Sequence, residues 1–184
     1  MPKFVSVEEI ERQANALIAE YRELPIPIHS VASFLNLVVE PVALSDDVSG
    51  VLVVVDERGV IGFNRSHAPV RQRFSIAHEI GHFVLHRDEE QLFIDKGYRA
   101  FFRDTASGKG TDMRERDANA FAAALLMPAA LVRRAAKSYH FDLGDEGGPV
   151  EELARRFGVS SQAMTLRLAN LDILGPTKIP HSRH

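Results

Sequence analysis

Residues 74–86 read FSIAHEIGHFVLH, with two histidines four positions apart and a glutamate beside the first. On an α-helix, positions i and i+4 lie on one face, one turn apart. His78 and His82 can therefore each turn an imidazole nitrogen toward a single ion. Glu79 is displaced around the helix and is placed to reach a water on that ion rather than the ion itself. Two ligands and one general base is the division of labour that the HExxH pattern encodes. The flanking residues predict a motif helix over 69–87, with Val70, Phe74, Ala77, Gly81 and Leu85 as its inward stripe.

A catalytic zinc ion takes three protein ligands, so the pattern needs a third. The extended motif would put a glycine seven residues and a histidine ten residues after the first histidine, where this chain has Leu85 and Asp88. His86 lies one turn beyond His82, too far along the helix to share a tetrahedral ion with His78, and reads as a packing or supporting residue. A carboxylate from a second helix is the other source. ERDANAFAAALLMP, residues 115–128, offers Glu115 as ligand, and Asn119 one turn on can hydrogen-bond the outer nitrogen of a histidine ligand. Asp117 competes with Glu115, but lies about 200° around the helix from it, so at most one of the two is a ligand. The small residues from Ala118 to Ala124 allow this helix to approach the motif helix closely.

The rest of the chain frames these two segments. Its 184 residues suggest one domain with at most a small appendage, and 45% hydrophobic with 26% charged residues is ordinary for a globular protein. The net charge of −3 argues against a surface built to hold nucleic acid nonspecifically. The chain has no cysteine, which excludes disulfides and thiolate metal sites. The opening MPKFVSVEEIERQ lacks the apolar core of a signal peptide, and no apolar run reaches membrane-spanning length, so the expectation is a cytoplasmic protein away from membranes.

Ser6 and Glu9 form a capping-box pattern ahead of Ile10, Ala14, Leu17 and Tyr21 at helical spacing. Pro25 and Pro27 break that helix, and Ser30 starts another. VVEPVAL (38–44) reads as a strand, with Pro41 suiting a sheet edge. Residues 49–64 read as a hairpin turning around Asp56-Glu57-Arg58-Gly59. A loop follows over 95–111. Thr111 or Asp112 then caps a ligand helix over 112–127 that Pro128 ends. FDLGDEGGP (141–149) is the linker candidate. The expected division is a peptidase domain over 1–145 and a helical C-terminal part over 149–184.

RFSIAHEIGHFVLH followed by ERDANAFAAALLMP resembles the ImmA/IrrE family of metallo-endopeptidases, over about residues 25–132. The resemblance implies an α+β, minimal gluzincin-like fold in which a small mixed or antiparallel sheet packs on the motif helix. It implies one Zn2+ per chain, His78, His82 and Glu115 as ligands, and Glu79 as catalytic base. It also implies a protein substrate, a helix-turn-helix repressor whose cleavage relieves repression after stress or in mobile elements.

LARRFGVSSQAMTLRLANL, residues 153–171, reads as a helix-turn-helix-like pair joined at Gly158 with Ser160 capping the second helix. If it bound DNA, Ser161, Gln162, Thr165 and Arg167 would face the groove, but that helix has only one basic residue. Packing on the peptidase core or docking of the substrate is the plainer role. A peptide substrate is expected along an edge of the 49–64 hairpin, with the 95–111 loop either closing over it or serving as a plain surface loop. Tyr98, Tyr139 and His140 are candidates for substrate binding or oxyanion stabilisation. Two rival functions stand: a DNA-binding regulator with a structural or inert metal, and a metal hydrolase for a non-peptide substrate.

Overall fold

The structure, a computed structural model, describes residues 5–21, 23–55, 58–88, 91–95, 111–139, 141 and 148–174. The Ser6 hydroxyl accepts from the Glu9 amide at 3.2 Å and starts α1 (Val7–Leu17), which buries Ile10 and Ala14. α2 (Ile28–Phe34) begins two residues before the Ser30 start that the sequence predicts, with Pro27 at its cap position. Three strands follow, β1 (Leu37–Val42), β2 (Gly50–Val55) and β3 (Arg58–Asn64). A fourth, β4 (Leu92–Asp95), comes after the motif helix.

The sheet order is β1-β3-β2-β4. β1 runs parallel to β3, and β2 is antiparallel to both β3 and β4. β1 lies at the edge, where Pro41 removes no ladder hydrogen bond that the sheet needs. The hairpin ladder runs to Val55 opposite Arg58, leaving only Asp56 and Glu57 between the strands. That corrects two expectations. The turn is two residues shorter than the sequence suggests, and the hairpin has no free edge, since β1 covers β3 and β4 covers β2. β4 is only four residues long, and its partner lies some forty positions away in the chain; local pattern carries little of such a strand.

The motif helix is α3 (Pro69–His86), opened by Pro69 at its first turn. The sequence predicts a one-sided apolar stripe, whereas every residue from Ser75 to Phe83 is buried and Val70 is exposed. The sheet covers one side of the helix, with Leu52, Ile61 and Phe93 in the shared core. α4 (Thr111–Leu126) covers the other side and is itself backed by α1. A helix with neighbours on opposite faces is buried all round.

Gly81 sets the α3–α4 distance. A Cβ built there would lie 3.1 Å from both Cα and O of Ala118 and 3.2 Å from Cβ of Phe121. At this point the helices meet backbone to backbone, and a methyl group has no room unless α4 gives way. α4 stops before Pro128, which opens α5 (Ala129–Ala136), a short helix with no clear signal in the sequence.

The C-terminal pair is α6 (Pro149–Phe157) and α7 (Ser161–Asn170). Gly158 ends α6 in the left-handed region at φ 66°, and Ser160 caps α7 through the Ala163 amide. Two arginines fasten this pair to the rest. Arg73 of α3 donates to the carbonyls of Gly158 at 3.1 Å and Ile26 at 2.8 Å. Arg167 is only 7% exposed; it donates to the Met127 carbonyl and pairs with Glu11 of α1 at 2.6 Å. In the DNA-binding alternative Arg167 would face the groove, and the structure does not place it there. Its guanidinium is occupied inside the protein, while Ser161, Gln162 and Thr165 stay exposed.

Gly81→Ala is expected to lower stability by about 1–3 kcal/mol in urea unfolding, the usual cost of overpacking a tight contact. An unchanged midpoint would show that α3 and α4 do not meet as closely as described.

Candidate metal centre

Two turns of α3 and the first turns of α4 converge on one point. His78 Nδ1 lies 2.7 Å from Asn119 Oδ1. An amide oxygen only accepts, so Nδ1 carries the proton and Nε2 presents a lone pair. That Nε2 is 3.0 Å from His82 Nε2, and Glu115 brings Oε2 to 3.2 Å from His78 Nε2 and Oε1 to 3.2 Å from His82 Nε2. Lone pairs crowded this closely repel unless a proton or a metal cation sits among them. Ligand atoms about 2.0–2.1 Å from a tetrahedral ion stand roughly 3.3 Å apart. The observed separations of 3.0 and 3.2 Å match that spacing, and two imidazoles with one carboxylate suit a divalent ion.

The surroundings hold these side chains in place. The His82 ring stacks on Phe93 of β4, with centroids 4.6 Å apart and an angle of 22° between planes. His86 lies buried one turn on, its ring centroid 5.8 Å from that of His82. Glu115, the carboxylate that meets both histidines, leads off the stretch that Gly81 draws close. Asp117 is absent from every group of donors that can hold an ion among the described residues.

Glu79 is fully buried, and neither of its oxygens has a hydrogen-bond partner among the described residues. The Gly50 backbone presses against it: a Cβ at Gly50 would stand 2.7 Å from Glu79 Oε1. Gly50 is held by its neighbours, because Arg71 donates to the Ser49 hydroxyl at 2.9 Å and Ser49 donates its amide to the Asp95 carbonyl. A buried carboxylate without donors is costly unless a proton, a solvent donor or a cation meets it.

The electrostatics follow from burial and crowding. Burial raises the Glu79 carboxyl; the positive charge of His78 opposes this, and Asp95 and Glu115 add to it, giving about 8. Burial pulls His78 down, but the Glu115 hydrogen bond and the charges of Glu79, Asp95 and Glu115 reverse this and lift it to about 9. His82 is lowered, mainly by burial. Burial pushes Glu115 up, but its hydrogen bonds to His78 and His82 win and hold it well below the usual carboxylate range.

The structure brings together His78, Glu79, His82, Glu115 and Asn119 from the residues singled out by sequence. Tyr139 sits elsewhere in the hydrogen-bond network, its hydroxyl donating to Glu152 of α6, which raises its pKa. Tyr98 and His140 lie outside the described residues, as does most of the 95–111 loop and the centre of the 141–149 linker. One residue escaped sequence reasoning. Asp95, at the end of β4, has a carboxylate within 4.8 Å of donor atoms on His78 and Glu79. Its only local signal is the short run Leu92-Phe93-Ile94 before it, too brief to declare a strand.

Stability of the metal-free protein should fall as pH rises from about 6.5 to 9. His78 is raised from 6.5 to about 9 and Glu79 from 4.5 to about 8, so folding favours the protonated form of each. Their contribution is complete below the unfolded values and disappears as pH passes the folded ones. Thermal unfolding in the presence of a chelator measures this; a melting temperature that rises over that window would contradict it.

The comparisons with known proteins agree with this geometry. Residues 33–169, well over half of the chain, match the IrrE N-terminal-like domain, a peptidase family. The radiation response metalloprotease IrrE of Deinococcus radiodurans is 33% identical over 108 residues, 58% of this chain and 30% of that protein. Its namesake in Deinococcus deserti is 36% identical over 114 residues, 61% of this chain and 37% of the relative. The chain thus aligns with about a third of the length of these curated relatives. A solved structure titled as a Mycobacterium tuberculosis transcriptional regulator shares the fold, with a TM-score of 0.61 and 21% identity over 93% of this chain and 48% of the other. The matched span contains both helices that bring the two histidines and the carboxylate together, and the chain belongs to the IrrE N-terminal-like family of metallopeptidases.

Proposed function

We propose that this protein is a zinc-dependent endopeptidase that cuts one or a few protein partners, with a helix-turn-helix transcriptional repressor as the expected target. The observation that carries the hydrolase reading is the convergence of His78, His82 and Glu115 beside a fully buried Glu79 that has no hydrogen-bond partner among the described residues. His78, His82 and Glu115 would hold the zinc, and Asn119 would fix the tautomer and orientation of His78. When bound, zinc supplies a Lewis acid that acidifies water and polarises a carbonyl.

Glu79 is suited to be the proton acceptor. Its burial raises its proton affinity to a range useful near neutral pH, and the Gly50 backbone limits where its carboxylate can go. The same carboxyl would then return the proton to the leaving amine. A peptide strand would lie along β4, the last strand of the sheet among the described residues, whose Asp95 lies at the metal centre. This replaces the hairpin edge as the place for substrate. The repressor target rests on the resemblance to the ImmA/IrrE family, and a stress-linked role on the naming of the two relatives as radiation response proteases. The rival reading, a DNA-binding regulator, is weakened by the internal engagement of Arg167.

Zinc content per chain tests the ligand set. About one zinc in wild type, largely lost in Glu115→Ala and kept in Asp117→Ala, is expected; the reverse order would move the third ligand. Asn119→Ala should weaken zinc roughly 10–100-fold without abolishing binding. Glu79→Gln should retain zinc while cleavage of the partner falls by about 10²–10⁴-fold; normal cleavage by this variant would remove Glu79 as the base.

A further inference from the structure

Asp95 closes β4 and is paired with Gly50 across the ladder, which sets its carboxylate beside the buried side of α3. Donor atoms of Asp95, Glu79 and His78 all lie within 4.8 Å of one another. This is a second group of metal-binding type, sharing only His78 with the group formed by His78, His82 and Glu115. The hydrogen bond from His78 Nδ1 to Asn119 leaves Nε2 as its one free ligand atom. One imidazole nitrogen serves one ion, so once it is used in the first group the second relies on two carboxylates. Glu79 enters that pair with no exposure and no hydrogen-bond partner for either oxygen among the described residues. Two carboxylates this close repel, and a desolvated carboxylate is strongly stabilised by a cation between them. Carboxylate oxygens accept a range of divalent ions, but with fewer fixed ligands than the first site they hold them less tightly.

We propose that Glu79 and Asp95 form a second, weaker divalent-cation site beside the zinc centre. Filling it occupies the carboxylate that the reaction needs as a base, so excess zinc opposes catalysis. The inference rests on the zinc peptidase reading above, in which the first ion sits on His78, His82 and Glu115.

Equilibrium dialysis of the full chain against zinc, near neutral pH, separates the two. Wild type should show a tight first step followed by a weaker second one. Asp95→Asn and Glu79→Gln should each keep the first step and weaken the second at least ~10-fold, the scale of losing a supporting ligand. Glu115→Ala should lose the tight step. Wild type that saturates at one zinc, or a second step that survives both Asp95→Asn and Glu79→Gln, overturns the second site and leaves the peptidase reading intact. Wild type with no tight step, or a tight step insensitive to Glu115→Ala, overturns both.

Discussion

The close approach of α3 and α4 at Gly81 is the constraint on which the rest depends. With no side chain at that point, the backbone of Ala118 comes within contact distance, and the two helices are locked at one spacing. Glu115 lies one turn before Ala118 and His78 and His82 flank Gly81, so that spacing sets the distance between carboxylate and imidazoles. A bulkier residue would alter the metal centre without touching any ligand. Ala118 and Ala122, one turn apart on α4 and both fully buried, serve the same end by keeping that face small.

Charge organises the centre once packing has placed it. Two histidines are faced by Glu79, Asp95 and Glu115, more negative charge than the imidazoles can balance. Without a metal the protein answers with protons: His78 holds its proton to about pH 9 and Glu79 to about pH 8. With a cation the same groups become ligands and a base. The burial that makes Glu79 a strong proton acceptor is the same burial that leaves it in need of one, which links stability and activity through a single side chain.

The C-terminal pair illustrates how a motif is read differently once packed. Its sequence has the turn and cap of a helix-turn-helix, and both are present, with Gly158 left-handed and Ser160 capping α7. Yet Arg167, the basic residue of its second helix, points inward to Glu11 and Met127. Charge on a helix pattern says nothing of which side meets solvent until the neighbours are known.

Sequence by itself determined the local chemistry: the Ser6 cap, the proline-bounded helices, the hairpin, and the i, i+4 pairs of His78 with His82 and Glu115 with Asn119. These follow from backbone preferences and helical periodicity, which act over a few residues. The spacing of Glu115 to Asn119, and then the family resemblance, favoured Glu115 as the ligand with Asp117 as competitor; the geometry between the two helices, and the absence of Asp117 from the donor groups among the described residues, came only from the fold. Tertiary structure alone decided that β4 joins the sheet, that the hairpin has no open edge, that α3 is buried on both faces and that Asp95 stands at the centre. Each depends on segments distant in sequence meeting in space, and the energy that joins them is shared burial, which no short stretch carries in its own pattern.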